Sequence, residues 1–367
     1  MNQSISSYFR RLVSGNERGL LAATARAALR VAEVPYTLGV RYRNRQFDNG
    51  ARPTISVGVP VISIGNLTLG GTGKTPMVEW VCRWFRQRNV RITIISRGYK
   101  AEDGATNDEA LELEQKLPDV PHVQNPDRVE AAKMAIEEFA CQVIVLDDAF
   151  QHRRIARDLN IALLDALQPF GFEHVFPRGT LREPATGLAR ADLVVLTRAD
   201  QMTIAQRAEV QARAAKLAPA AGWAECTHAP VSLLSASGTE YPLTALQANV
   251  GRPRVAAFCG VGNPAGFAHT ITAAGYDLVE LREFPDHHNY TREDVESLKQ
   301  WASTVGADTI LCTHKDLVKI ELERLGNKSL RAVRIGLDFL AGQEELEKRL
   351  TAILDGLPSD PLEALEA

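Results

Sequence analysis

The stretch Thr68-Leu69-Gly70-Gly71-Thr72-Gly73-Lys74-Thr75 decides the fold of this 367-residue chain. It follows an apolar segment, residues 57–64, and leads into a helical pattern from Pro76. A strand, a glycine-rich loop and a helix in this order are typical of a phosphate-binding loop, because glycines let backbone N–H groups approach phosphate oxygens and the helix N-terminus adds positive potential. Lys74 can reach the β- and γ-phosphates, and the Thr75 hydroxyl can bind Mg²⁺. This stretch therefore predicts a nucleoside triphosphate site.

The loop departs from the usual pattern at one position. The pattern G-x-x-x-x-G-K-[ST] has glycine where this chain has Thr68, and Gly70 and Gly71 supply the flexibility instead. The form G-G-x-G-K-T is similar to that of the ParA/MinD-like ATPases, which have a second lysine just before the paired glycines. Leu69 occupies that position here, which counts against that class of ATPase.

The composition is that of an ordinary soluble globular protein. Apolar residues make up 45% of the chain and charged residues 24%, and the length is sufficient for two domains. Five cysteines are scattered without a C-x-x-C pair, which indicates neither a disulfide framework nor a zinc site. Cysteines used in this way fit the reducing cytoplasm.

The N-terminal segment, residues 1–52, is a basic arm on an acidic body. It contains nine arginines, no lysine and three acidic residues, a net charge of +6, while the remainder carries −9. We find no signal peptide in it, and Arg26, Arg30 and Glu33 interrupt the apolar run before it could span a bilayer.

The same segment predicts an amphipathic helix. Arg26, Arg30 and Glu33 lie on one side of the helical pattern. Leucine and arginine on opposite faces suit a helix that lies on an anionic membrane surface. A helix that docks on its own protein, with its arginines in water, explains the pattern equally well. The apolar stripe consists of Leu20, Leu21, Thr24, Ala27, Ala28 and Val31.

Strand-like runs alternate with helical patterns along the rest of the chain. Such alternation predicts an α/β fold: a phosphate-loop (Walker A) doubly wound parallel sheet, then a second, smaller α/β domain after the boundary-like stretch 218–222. The expected domains are a helical segment over 1–52, the phosphate-loop core over 53–220, the smaller domain over 221–340, and a C-terminal helix and tail over 341–367. The predicted strands are 59–64, 91–96, 142–146, 161–164, 193–197, 231–234, 254–259, 277–280, 309–312 and 332–335, and the predicted helices are 76–89, 128–140, 203–217 and 343–354.

Paired carboxylates end one of the predicted strands. Asp147 and Asp148 follow the apolar run 143–146. In phosphate-loop enzymes an acid at the carboxyl end of a neighbouring strand holds Mg²⁺, and ligands collect at that edge of an open sheet. An N-cap or turn carboxylate is the alternative. The upstream loop favours the functional interpretation.

Polar and cationic residues are predicted at the same edge. Gln151 and His152 follow the aspartates, with Arg153 and Arg154 next to them, and Arg97 follows the strand 91–96. The two arginines after His152 could equally be solvated. The sequence therefore predicts a polar, cationic cluster near the phosphate loop.

Four further motifs are weak on their own. Asp108 and Glu109 could meet a substrate hydroxyl or a metal, or could simply begin a helix. His287 lies in the run Asp-His-His, for which local sequence favours a surface loop. The run 260–264 predicts a tight turn and a helix from Pro264 rather than a second nucleotide site. The run 197–200 only loosely resembles the guanine-reading N-K-x-D motif and predicts a strand end followed by a helix cap.

Taken together, these motifs resemble the tetraacyldisaccharide 4'-kinase family, the lipid A 4'-kinases of Gram-negative bacteria. The resemblance covers roughly residues 10–340 and depends on eight motifs in the family's order. Two small departures are Ala149, where the family usually has glycine, and Asn107, where glycine often precedes Asp-Glu. The matching pieces are 65–75, 96–99, Asp108-Glu109, Asp147-Asp148 with Gln151-His152, 181–183, 260–264, Asp286-His287 and Lys315-Asp316.

The resemblance implies a reaction: transfer of the ATP γ-phosphate to the 4'-hydroxyl of a tetraacylated glucosamine disaccharide 1-phosphate. It implies that Asp108 and His287, in different predicted domains, form a dyad that activates this hydroxyl as the domains close. Lys74 would stabilise the transferred group. Arg97, Gln151, His152 and Arg182 would contact substrate. The implied Mg²⁺ ligands are Thr75, Asp147, Asp148 and Glu109.

The implied substrate also gives the basic arm a purpose, because the acceptor is anionic and embedded in a membrane leaflet. We therefore expect ATP and Mg²⁺ as cofactors and a peripheral location at the cytoplasmic face of the bacterial inner membrane. An anionic membrane surface is the expected partner, with no nucleic acid and no obligate protein partner. The alternative is a ParA/metal-chaperone-like phosphate-loop NTPase that acts as a switch. A membrane-docked scaffold with a dead nucleotide site is disfavoured, since Lys74, Thr75 and both aspartates are present.

Overall fold

A computed structural model of the chain describes residues 3–69, 72–98, 113–114, 116–246, 251–286 and 288–358, with residues 3–7 as backbone only. The chain divides into two compact units. The first contains most of the chain up to Thr227 and the segment from Asp338, and the second contains His228–Leu337 and a short stretch that ends at Lys116. The domain limits expected at residues 52, 220 and 340 stay a prediction.

Helices begin where the sequence offers a capping side chain or a flexible glycine. Thr203 and Thr291 each form a capping box with the residue three positions on, and Asp127 accepts two backbone N–H bonds. The helices are α1 (Gln3–Ser14), α2 (Leu20–Asp48), α3 (Lys74–Arg86), α4 (Arg128–Phe139), α5 (Ile204–Leu217), α6 (Pro264–Ala273), α7 (Arg292–Thr304), α8 (His314–Ile320) and α9 (Gln343–Asp355).

The central strands are short apolar runs whose residues are buried throughout, as expected for parallel strands covered on both faces. The strands are β1 (Val61–Asn66), β2 (Ile92–Ser96), β3 (His122–Gln124), β4 (Val143–Asp147), β5 (Leu159–Asp165), β6 (Leu193–Thr197), β7 (Gly222–Leu234), β8 (Glu240–Tyr241), β9 (Arg254–Cys259), β10 (Asp277–Glu283), β11 (Thr309–Thr313), β12 (Arg324–Leu325) and β13 (Lys328–Ala341).

In the first unit a parallel sheet carries the strand order β3-β2-β4-β1-β5-β6-β7. Helix α4 contributes three buried alanines and helix α5 contributes Ala214, each to a core cluster against these strands. The register aligns Ile64 of β1 with Asp147 of β4. The carboxyl ends of β1 and β4 therefore lie side by side, and the doubly wound phosphate-loop fold is confirmed.

The second unit is also α/β. Strands β10, β9, β11 and β13 pair in parallel in that order, and β7 is the next strand. Two short strands pair antiparallel, β12 with β13 and β8 with β7. Buried leucine, isoleucine and phenylalanine side chains form two core clusters.

Several element boundaries differ from the sequence-based prediction. Helix α3 begins at Lys74 rather than at Pro76, because Gly73 has a left-handed φ of +80° and supplies the N-cap. Strands β7 and β13 are much longer than the predicted runs 231–234 and 332–335, since polar residues interrupt the apolar ones in their outer portions and no continuous apolar run marks them. Asp200 caps no long helix; it lies in a short 3₁₀ turn, and Thr203 caps α5.

The predicted N-terminal amphipathic helix is present as α2, which extends through Pro35. Its apolar stripe faces away from the rest of the first unit and is exposed: Leu20 is 86% exposed, Leu21 87% and Val31 74%. The polar side packs instead, and Glu33 accepts hydrogen bonds from Val175 N and His174 Nδ1. Of the two explanations of the pattern, docking through the apolar stripe is therefore wrong. Within the described residues no helix combines the length and the apolar character that crossing a bilayer requires.

Candidate active site

The second half of the phosphate loop is held between two strands. Asn66 at the end of β1 donates from Nδ2 to Thr72 Oγ1 at 2.8 Å, and Thr197 at the end of β6 donates from Oγ1 to the Thr72 carbonyl at 2.9 Å. The left-handed Gly73 then turns the chain into α3, which begins at Lys74. These bonds fix where Lys74 and Thr75 enter the helix, at the positive end of its dipole.

The first half of the loop is paired to a neighbouring segment. Thr68 forms an isolated antiparallel bridge with Leu181, and the Leu69 amide donates to the Thr180 carbonyl at 2.7 Å. The Arg182 amide donates in turn to the Leu67 carbonyl at 2.7 Å. The Leu69 N–H is therefore engaged by backbone, and the segment 180–182 supports the loop along this side.

Asp148 joins the two cations of the site. Its Oδ1 accepts a hydrogen bond from Arg182 Nη1 at 2.8 Å and lies 3.7 Å from Lys74 Nζ. Asp148 adopts a left-handed φ of +51°, which is uncommon outside glycine. Strained backbone of this kind is frequent at functional sites. By contrast, Ala149 does not adopt a positive φ, so alanine is tolerated at this position, where the family usually has glycine.

Asp147 is the last residue of β4 and only 7% exposed. A cation that sequence reasoning missed, Arg128, is buried at the start of α4 and faces this edge of the sheet. Burial and the nearby Arg97 lower the Arg128 pKa, and Asp147 and Asp148 oppose that shift. The sequence signal that could have identified Arg128 is its position. It follows β3 as Arg97 follows β2, at the sheet edge where the strands have their carboxyl ends.

Glu183 is a second residue that sequence reasoning did not assign, and its carboxylate is fully buried. Its Oε1 accepts from Arg190 Nη2 at 2.7 Å and from Gln151 Nε2 at 3.1 Å, and its Oε2 accepts from Asn44 Nδ2 at 2.9 Å. Gln151 Nε2 also donates to the Asn66 carbonyl at 2.8 Å. Gln151 thus braces the end of β1, from which the loop begins.

The predicted cationic cluster after Gln151 is largely not formed at the loop. Arg153 donates to Asp48 Oδ1 at 2.6 Å and to the Asn44 carbonyl at 3.0 Å, so it holds α2. Arg154 pairs with Asp127 at 2.5 Å. Burial and the neighbouring Arg128 and Arg157 lower the His152 pKa to about 4, so its imidazole is neutral at physiological pH.

The second unit contains a buried polar network around Asp316. The Asp316 carboxylate accepts from the Gly260 amide at 3.1 Å, from Tyr290 Oη at 2.9 Å and from Thr313 Oγ1 at 2.6 Å. Burial and the Asp316 charge raise the Tyr290 pKa far above its usual range. His288 stacks on Phe284 and donates from Nε2 to Asp294 Oδ2 at 2.9 Å. The segments before and after residue 287 are thereby anchored.

Five residues assigned from sequence lie outside the described residues, and their assigned roles stay predictions. They are Gly70, Gly71, Asp108, Glu109 and His287. Within the described part of the chain no group of three or more His, Cys, Asp or Glu side chains could enclose a metal. The described oxygen donors assigned to Mg²⁺ are Thr75, Asp147 and Asp148. Few protein oxygens, with water and phosphate completing the shell, are what Mg²⁺ usually has.

Comparison with known proteins shows the family to which the chain is similar. The model of the tetraacyldisaccharide-1-P 4'-kinase family matches residues 25–355. A tetraacyldisaccharide 4'-kinase of Anaeromyxobacter sp. (strain K) is 39% identical over 358 residues, which are 93% of this chain and 94% of that protein. One of Geobacter sulfurreducens is 35% identical over 338 residues, 86% of this chain and 90% of that protein.

A solved structure agrees over the same extent. The crystal structure of an LpxK from Aquifex aeolicus in complex with ATP superposes with a TM-score of 0.70 at 28% identity. It covers 90% of this chain and 99% of the other.

Proposed function

The chain belongs to the tetraacyldisaccharide-1-P 4'-kinase family, and from this we propose that it phosphorylates the 4'-hydroxyl of tetraacyldisaccharide 1-phosphate with ATP. This reaction is a step of lipid A biosynthesis, and the protein is a kinase that uses ATP with Mg²⁺. The observation that carries the proposal is the convergence of Lys74, Asp148 and Arg182 beside the phosphate loop. Phosphoryl transfer depends mainly on such positioning and charge neutralisation.

Lys74 and Arg182 are the cations that we assign to the phosphates. Asp148 Oδ1 lies 3.7 Å from Lys74 Nζ and 2.8 Å from Arg182 Nη1, so this carboxylate holds the two positive charges close together. Phosphate oxygens on the loop would be recognised by Lys74 and by the amides that follow Leu69, because the Leu69 N–H is bound to Thr180. Arg128 and Arg97 add positive charge at the same edge and suit an anionic substrate.

Mg²⁺ fits the oxygen donors at this edge. We assign it to Thr75, Asp147 and Asp148, with Glu109 as a further candidate. When bound, the ion would neutralise charge on the phosphates. Asp147 is buried, whereas Asp148 is more open and pairs with Lys74 and Arg182.

The acceptor hydroxyl needs a base, and we assign the Asp108–His287 dyad on the family resemblance. Support comes from the second unit, where Asp316, Tyr290 and the stacked Phe284–His288 pair anchor both sides of residue 287. A base acts only when held within hydrogen-bond reach of the proton, so a rigid support for its partner is useful. Gln151 and His152 are assigned to substrate as a neutral polar pair, because His152 carries no charge at neutral pH.

The exposed stripe of α2 supports contact with an anionic membrane surface. Leu20, Leu21, Val31 and Leu38 are between 58% and 87% exposed, and the segment 1–52 carries nine arginines. Apolar side chains flanked by arginine are what an interfacial helix presents to lipid. We place the protein peripherally at the cytoplasmic face of the inner membrane. Sedimentation with anionic vesicles tests this: replacing Leu20, Leu21 and Leu38 by serine should reduce binding, and unchanged binding would exclude the stripe.

The switch-NTPase alternative is not favoured. Arg198 occupies the lysine position of the loose N-K-x-D match and forms an ion pair with Asp165 at 3.0 Å, while Thr197 holds the phosphate loop. These side chains support the fold and the loop rather than a base-reading pocket. The discriminating experiment is ATP turnover with and without the acylated disaccharide. A kinase turns over only with acceptor, whereas acceptor-independent hydrolysis at the same rate would favour the switch.

A further inference from the structure

Helix α2 has a second face that the membrane proposal does not use. Along its polar side, Tyr36, Arg43, Asn44 and Asp48 all contact two segments of the first unit, 151–153 and 182–183. These are the segments that carry Gln151 and Arg182. Resting on the proposed function, we propose that α2 is a positioning element of the active site, with Asn44 holding the Glu183 carboxylate in place.

The Glu183 carboxylate depends on the donors that surround it. It is completely buried, and a buried carboxylate is costly unless its oxygens are paired. Arg190 and Gln151 both donate to Oε1, while the Asn44 amide donates to Oε2 at 2.9 Å. Asn44 is therefore the group from α2 that fixes the rotation of this carboxylate.

Glu183 transmits that rotation to the phosphate loop by two routes. Through Oε1 it orients Gln151, whose Nε2 also donates to the Asn66 carbonyl at the end of β1. Through the backbone it adjoins Arg182, whose amide donates to the Leu67 carbonyl and whose side chain binds Asp148. A shift of Glu183 thus moves both edges of the loop that precedes Lys74.

A second contact of α2 acts on the same point. Tyr36 donates from Oη to the Arg182 carbonyl at 3.2 Å, and its ring packs edge-on against Phe176 at a centroid distance of 5.7 Å. Arg43 reaches the Gln151 carbonyl at 3.4 Å. Helix α2 therefore holds the backbone of residues 151 and 182 in addition to the buried Glu183 carboxylate. The same helix presents its apolar stripe outward and orients the site side chains from its polar side.

The test compares Asn44→Ala and the isosteric Asn44→Asp with wild type. Asn44→Asp keeps the shape, removes the donor and places a second carboxylate against Glu183. Transfer to the acylated disaccharide is measured in detergent mixed micelles, where vesicle binding has no influence, with kcat and the KM for ATP determined separately. Sedimentation with anionic vesicles and thermal unfolding are recorded for each variant. Asn49→Ala, at the exposed C-cap of the same helix, is the matched control, because its side-chain oxygen accepts a hydrogen bond from the neighbouring Ala51 amide.

We expect Asn44→Ala to lower kcat by about tenfold or more and Asn44→Asp to lower it further, with the KM for ATP and vesicle binding within about twofold of wild type. Asn49→Ala should keep wild-type kcat. If both Asn44 variants keep kcat within about twofold, the positioning role is wrong. The positioning role would also be contradicted if Asn44→Ala lost stability and kcat together and Asn44→Asp lost no more kcat than Asn44→Ala. Loss of packing alone would explain that result. A wild-type protein without any transfer would contradict the proposed function and not this inference.

Discussion

Arg182 donates a 2.8 Å hydrogen bond to the carboxylate of Asp148, and this is the contact that joins two distant parts of the chain at the phosphate loop. Asp148 follows the strand β4, and Arg182 lies in the segment that pairs with Leu67 and Leu69. The ion pair therefore joins the edge of the sheet where the strands have their carboxyl ends to the outer side of the phosphate loop.

Arg182→Ala should lower kcat/KM by about 10²-fold, because a cation positioned for the transferred phosphoryl group is lost. Arg182→Lys should recover part of the loss, since the charge remains but the planar fork does not. Steady-state transfer in mixed micelles measures both. Arg213→Ala is the control: Arg213 pairs with Glu173 on the exposed side of α5, and surface pairs contribute little. Equal activity of Arg182→Ala and wild type would remove Arg182 from the site.

Asp148→Gly and Asp148→Ala should separate the backbone of this residue from its charge. Both variants lose the bonds to Lys74 and Arg182, so both should lose most activity. Asp148 has a φ of +51°, a conformation that costs alanine about 1 kcal/mol more than glycine. Asp148→Gly should therefore unfold at a higher urea concentration than Asp148→Ala. An alanine variant at least as stable as the glycine variant would contradict the left-handed assignment.

His152 should make the protein acid-sensitive. Burial lowers its pKa to about 4 in the folded chain from the ordinary value near 6.5, so the unfolded chain binds the proton first as pH falls. Stability contributed by the neutral imidazole is present above about pH 6.5 and is lost as pH falls toward 4.

His152→Gln removes this titrating group, so its free energy of unfolding should fall less than that of wild type between pH 7 and pH 5. Urea unfolding at the two pH values gives the comparison. His269→Gln, which replaces an exposed histidine of α6, is the control and should follow wild type. An identical pH dependence for wild type and His152→Gln would show that His152 is not held neutral.

Asp316→Asn should damage the second unit at the segment around residue 287. The amide nitrogen cannot accept the hydrogen bonds that Gly260, Tyr290 and Thr313 donate, and a broken buried network costs about 1–3 kcal/mol. Tyr290→Phe, which removes one donor and keeps the ring, should cost less. Thermal unfolding measures stability, and ATP binding, measured by calorimetry, should stay unchanged while transfer falls. Unchanged transfer in Asp316→Asn would separate this network from catalysis.

The sequence predicted the fold well where chemistry and periodicity agree. Residues 68, 69 and 72–75 and the aspartates 147 and 148 lie at one sheet edge because parallel strands bring their carboxyl ends together, a rule that needs no coordinates. The same rule identifies Arg97 and, had it been applied to the run after β3, Arg128. By contrast, β7 and β13 were predicted too short, since half-buried strands lack a continuous apolar run.

The support of the site was beyond prediction from sequence. Glu183 and Asn44 are 139 positions apart, and no local pattern indicates that a buried carboxylate meets an amide on the N-terminal helix. The two sides of α2 were separated correctly, but the alanine-rich stripe did not reveal which side packs against the protein. Its docking side is polar, so hydrophobicity alone could not decide between the two explanations.

The most direct test of the central claim is transfer of ³²P from γ-labelled ATP to tetraacyldisaccharide 1-phosphate in mixed micelles with Mg²⁺. Wild type is compared with Lys74→Ala and with Lys133→Ala, an exposed lysine of α4. We predict labelled lipid with wild type and Lys133→Ala and almost none with Lys74→Ala. Nucleotide hydrolysis without labelled lipid in the wild-type protein, or transfer that survives in Lys74→Ala, would contradict the assignment of a phosphate-loop lipid kinase.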